Sequence, residues 1–126
     1  MPAQVKKKDA RRERRIDMEI VVDAYDAHER AMGWYYYLEA KLQFPFRATC
    51  IGERSISPLR QGDKVEVVGM APETDCECEM FVEISWDGRK LGVPLVQLKP
   101  SPRADKETRE AVADWHYWRD QGYIFW

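Results

Sequence analysis

Apolar positions recur at helical spacing near both ends of the chain and at strand spacing through its middle. In Arg11–Ala24, Ile16, Ile20 and Ala24 stand at i, i+4, i+8, which predicts a helix, although the β-branched Ile20-Val21-Val22 would also suit a strand start. Asp26 is placed as an N-cap, with Glu29 three residues on as its capping-box partner. A second helix is predicted from there through Leu42, with Met32, Tyr35, Tyr36 and Leu38/Glu39 on one face and Trp34 and Tyr37 adding aromatic surface. Phe44-Pro45-Phe46 ends it, because a proline pushes the residue before it out of helical geometry.

The period then changes from helical to alternating. Ala48–Glu53 reads as a strand and Ser55–Gly62 as a loop. Asp63–Met70 alternates, with Val65 and Val67 on one face, and Met80–Trp86 alternates again. Asp87-Gly88 is a hairpin signal, since a type I′ turn needs positive φ at both central positions. Lys90–Pro94 and Val96–Leu98 complete five short strands. Pro100-Ser101-Pro102 is a linker. A last helix runs from Asp105 or Lys106 to Gln121, with Ala111, Trp115 and Trp118 on one face and Gly122 as its stop. The prediction is an α+β chain: a basic tail over 1–16, then a single domain over 17–126. That domain has helices within 17–42, a small SH3-like β-barrel over 46–99 and a C-terminal helix over 105–121.

Composition narrows the function. A chain of 126 residues that is 44% hydrophobic buries a core without disulfides or metal staples. No apolar run reaches the roughly 20 residues of a membrane span, so no membrane partner is expected. The basic start lacks the apolar stretch of a secretory signal. Cys50, Cys76 and Cys78 are an odd number at no framework spacing, which predicts reduced thiols and a cytoplasmic location. Residues 1–16 hold seven of the twenty Lys/Arg and two of the twenty-two acids. The remainder is therefore about seven charges negative, which opposes nucleic acid and favours cations.

The chemistry concentrates in Glu73-Thr74-Asp75-Cys76-Glu77-Cys78-Glu79, where four of seven side chains are carboxylates. Such groups repel one another, and a divalent cation relieves the repulsion; calcium takes about six to eight oxygen ligands on a flexible frame. Asp63 and Glu53, on adjacent loops, are candidates to complete the shell. An acidic loop that is merely solvated is the plain alternative. The spaced acids and glycine of an EF-hand are absent, so tertiary structure must assemble any site. Cys76-x-Cys78 with His28 or His116 is a second metal option, but it lacks the second ligand pair of a structural zinc centre. Asp114, Trp115, His116, Tyr117 and Trp118 read as the packing face of a helix, not as an acid–base centre, which needs a nucleophile or a pocket. No Walker loop, dinucleotide glycine turn or nucleophile elbow is present, and no enzymatic activity is expected.

Several segments, in order, carry a family resemblance: Met18–Asp26 (MEIVVDAYD), Ala31–Glu39 (AMGWYYYLE), Phe44–Ile51 (FPFRATCI), Ile56–Leu59 (ISPL), Gly62–Val65 (GDKV), Cys76–Val82 (CECEMFV), Val93–Leu95 (VPL) and Ala113–Trp118 (ADWHYW). Together they span Met18 to about Tyr123, and the chain resembles the CcbP-type calcium-binding proteins of cyanobacteria. The resemblance implies Ca2+ bound at acidic surface sites without EF-hands, and a calcium buffer or sensor. The metal residues expected from local acid density are Glu73, Asp75, Glu77, Glu79, Asp63 and Glu53. The competing reading is an SH3-like module that recognises a protein through its aromatics and needs no metal. Nucleic-acid binding through Lys6–Arg15 is a weaker third.

Overall fold

The computed structural model describes residues 7–126; the start of the expected basic tail, 1–6 with Lys6, lies outside the described residues. Helix α1 spans Ala10–Arg15, and its N-cap Asp9 accepts hydrogen bonds from the Arg11 and Arg12 amides at 3.0 and 3.1 Å. A π-helical turn, Ile16–Ile20, extends it and buries Ile16 and Ile20. The helix expected through Ala24 stops there: Val21 leaves helical geometry, and Asp23 adopts a left-handed φ of 57°. Helix α2 is Ala27–Lys41. Asp26 caps it by accepting from the Glu29 amide at 2.8 Å, and Glu29 reaches back to the Tyr25 amide at 3.1 Å, one residue earlier than a standard capping box. Its buried stripe is Ala31, Trp34, Tyr35 and Leu38; Tyr36 and Glu39, expected on the apolar face, are exposed. Gly33 lets the two helical segments meet, because a Cβ there would collide with the Ile20 carbonyl.

Five antiparallel strands follow: β1 Phe46–Cys50, β2 Lys64–Met70, β3 Phe81–Trp86, β4 Arg89–Pro94 and β5 Leu98–Pro100, in the order β4-β3-β2-β1-β5. Asp87 and Gly88 both take positive φ, 49° and 76°, as the hairpin between β3 and β4 requires. The register between β2 and β3 slips around Val68, between the Val67↔Ile84 and Gly69↔Glu83 pairs. The expected closed barrel is not formed: β4 and β5 remain the two edges of an open sheet. The reason is local. Leu95–Gln97 winds into a 3-10 turn where a strand was expected, so β5 begins at Leu98 and pairs with β1 over only three residues.

Helix α3, Lys106–Asp120, is capped by Asp105 and closes at Gly122, whose φ is 87°. Trp115 and Trp118 pack on Trp34 of α2 with ring centroids 5.0 and 5.5 Å apart, and Phe125 folds back onto both. This aromatic cluster joins the helices. Val65, Val67, Val82, Ile84, Val93 and Leu98 form the buried face of the sheet. His116 lies 2.7 Å from the Leu98 carbonyl and ties α3 to β5. Among the described residues no helix is long and apolar enough to cross a membrane.

Candidate metal centre

The acidic segment connects β2 to β3. Instead of the loop expected over Glu73–Cys78, Glu73–Cys76 forms a 3-10 turn started by Pro72, whose carbonyl accepts from the Asp75 amide at 2.9 Å. The turn is held from beneath. Cys76 is fully buried, and its Sγ accepts from the Phe81 amide at 3.3 Å. Tyr35 on α2 donates to the Ala71 carbonyl at 2.7 Å, and the Tyr36 hydroxyl donates to Glu73. Cys76 and Met80 are buried, and Glu73, Asp75 and Glu77 are left in solvent.

The six expected residues do not form one cluster. Among the described residues no three His, Cys, Asp or Glu side chains converge on a common point where an ion could sit. Glu73, Asp75 and Glu77 are exposed, and among the described residues none of them has an ion-pair partner. Glu79 is different. It is 7% exposed, and both its oxygens are taken by Arg54, at 2.7 and 3.2 Å. That bond is the main cause of a raised Arg54 pKa. Asp63 sits before β2, at the end away from Glu73, where its carboxylate accepts from the Arg60 amide at 2.9 Å and shapes the turn. Glu53 is exposed in the loop after β1, next to Arg54.

Glu39, absent from the expected set, is brought near the turn by α2. The Tyr35 hydroxyl is pushed up to about 12, first by burial and then by the negative charges of Glu39, Cys76 and Glu73. Tyr36 is also raised, first by its hydrogen bond to Glu73 and then by that residue's charge. The sequence signal was the i, i+3 relation of Tyr36 and Glu39, which puts both on the side of α2 that meets the turn.

The donor set fits a hard cation. Exposed carboxylates, with carbonyl and hydroxyl oxygens beside them, are calcium chemistry. The thiols do not fit a soft one. Cys76 faces the core and Cys78 faces solvent, both free, and burial pushes Cys76 up to about 11, which disfavours the thiolate a zinc site needs.

The chain is similar to known proteins. The sequence family CcbP, described as calcium binding, matches residues 14–119. The chain belongs to the CcbP calcium-binding family. A crystal structure of CcbP from Anabaena is 41% identical, aligns over 94% of this chain and 96% of its own with a TM-score of 0.83. A solved structure described as a calcium binding protein in the calcium-binding form is also 41% identical, over 92% of this chain and 94% of its own, with a TM-score of 0.81. No curated protein matches the chain.

Proposed function

We propose that this chain is a cytosolic calcium-binding protein, acting as a buffer or sensor, whose ion is held by the turn between β2 and β3. The reading rests on one observation: Glu73, Asp75 and Glu77 are exposed acids without a cationic partner among the described residues, on a turn pinned at Cys76 and at Tyr35 and Tyr36. Membership of a calcium-binding family supports it. Glu73, Asp75 and Glu77 supply the charge, and Glu39 approaches from α2. Glu79 serves by bonding Arg54, which fixes the end of the turn, rather than by holding the ion. Asp63 and Glu53 stay outside the site. Calcium, when bound, supplies the positive charge that the turn lacks, and the protein orders its side chains around it. No bond is made or broken, so the function is reversible binding and not catalysis. The strand order β4-β3-β2-β1-β5 supports an SH3-like topology for the sheet, left open and not closed into a barrel.

A surface site of this kind calls for modest affinity, on the order of micromolar or weaker, and for weak competition by magnesium, which gives up its waters reluctantly and demands a tighter shell. The test is a calorimetric titration of chelator-treated protein with calcium, repeated in excess magnesium. Saturable heat that survives magnesium supports the reading. Absence of heat, with no calcium-dependent rise in melting temperature, rejects it.

A further inference from the structure

A second surface, sharing no residue with the acidic turn, has the opposite character. A groove of about 710 Å³ runs over β1 and β2 beside the turn that leads into α3. Arg47, Lys64 and Arg103 line it, and all three are exposed. Strand alternation puts Arg47 and Lys64 on the outer face, since Phe46, Ala48 and Val65 between them are buried. Among the described residues none of the three side chains has a hydrogen bond or ion pair. Two acids also line the groove. Asp105 caps α3, accepting from the Glu107 amide at 3.0 Å, and Glu66 stands directly across from Arg47 in the β1–β2 register. The volume falls in the range of clefts that hold ligands, about 300–1,000 Å³. Pro45 and Pro102, both exposed, give it an apolar rim.

We propose that this groove binds an acidic peptide segment of a partner protein. Charge complementarity selects the occupant. Outside residues 1–16 the chain carries thirteen basic and twenty acidic residues, so most of its surface repels an acidic peptide. The groove gathers three cations against two acids, a net positive patch on a negative body, and that sets the position of such a segment. Arginine at two of the three positions matches the fork of a carboxylate, and the two proline surfaces take the aliphatic carbons between acids. The proposal does not depend on calcium, because the groove and the acidic turn lie on different connections of the sheet.

The experiment measures fluorescence anisotropy of a fluorescein-labelled peptide, Glu-Glu-Leu-Glu-Glu-Leu, titrated with the full chain at low ionic strength. A peptide of the same length with glutamine for each glutamate is the control. The expected result is saturable binding of the acidic peptide only, weakened at least about tenfold by Arg47→Ala with Arg103→Ala, and also by Lys64→Ala. Arg89→Ala with Lys90→Ala, on the β3–β4 hairpin, should leave it unchanged. These side chains are exposed, and circular dichroism is the check that each variant is folded. Absence of saturable binding overturns the proposal, as does equal binding of the glutamine peptide. Equal loss in the hairpin variant also overturns it, by showing a diffuse field instead of a groove. Sedimentation of the unlabelled chain provides the last arm. Self-association that is lost with Arg47 and Arg103, without peptide binding, replaces the partner protein by a second copy of this chain.

Discussion

Replacing Asp114 by asparagine keeps its size and removes its charge at the most demanding polar position of the fold. Asp114 is fully buried on α3. Its carboxylate accepts from Arg12 Nη1 at 2.6 Å, from Arg15 Nε and Nη2 at 2.9 and 2.6 Å, and from the Tyr37 hydroxyl at 2.9 Å. One acid therefore holds α1 and α2 against α3. The bond to Asp114 is the main cause of a raised Arg15 pKa. Tyr37 is raised as well, by burial first and then by the Asp114 charge. Removing one member of a buried ion pair costs about 3–5 kcal/mol, because the partner charges stay desolvated. Here the two arginine side chains are 28% and 23% exposed and can turn partly to solvent, so the lower end applies. A loss of about 3 kcal/mol corresponds to a fall of about 10 °C in melting temperature for a domain of this size. Urea denaturation gives the free energy, and amide exchange over 10–20 separates undocking of α1 from global unfolding. Arg15→Ala alone should be strongly destabilising, and adding it to Asp114→Asn should cost less than the sum of the two, since they share one interaction. A cost below about 1 kcal/mol for Asp114→Asn, or strict additivity with Arg15→Ala, would refute the assignment of this carboxylate as the anchor of the first helix.

Four further outcomes are expected. Gly33→Ala should destabilise by at least about 1 kcal/mol, because its Cβ meets the Ile20 carbonyl; equal stability by denaturation would show that the two helical segments separate freely. Cys76 keeps its proton in the folded state up to about 11, while the unfolded thiol loses it near 8.5, so the unfolded state binds fewer protons in between and stability falls as pH rises across that window; Cys76→Ala should flatten this fall, and an unchanged slope would contradict it. Native protein should also expose one thiol of three to a thiol reagent, Cys78, and faster labelling at Cys76 would show that the turn opens. Calcium should lower the raised Tyr36 titration midpoint by neutralising Glu73, seen in tyrosinate absorbance and absent in Tyr36→Phe; a midpoint indifferent to calcium would place the ion elsewhere.

Local signals in the chain were reliable where one residue acts on near neighbours. Asp26 with Glu29, Asp87-Gly88 and the Gly122 stop all describe contacts within a few positions, and each appears in the fold. The alternation of β2 and β3 was legible for the same reason. Barrel closure was not, since it depends on whether Leu95–Gln97 turns or extends, and the 3-10 turn there leaves β5 too short to close the sheet. The α2 face was misread because a tyrosine is counted as apolar although Tyr36 carries its hydroxyl to Glu73 in solvent. Glu79 shows the limit for the candidate site. Its spacing with Glu73, Asp75 and Glu77 makes it look like a fourth ligand, but Arg54, twenty-five residues earlier, occupies it. The pairing of Arg12 and Arg15 with Asp114 spans about a hundred positions, and basic residues near a chain's start look like a solvated tail until the fold brings an acid to them.

The turn between β2 and β3 as the calcium site is tested most directly by calorimetric titration of Asp75→Asn with Glu77→Gln beside the parent. Both substitutions keep size and remove charge from exposed side chains, so the fold stays intact. Loss of two of the acids that supply the charge should weaken calcium binding by at least about tenfold or remove its heat altogether. The same affinity and stoichiometry in parent and variant would contradict the account and leave this segment a solvated acidic turn.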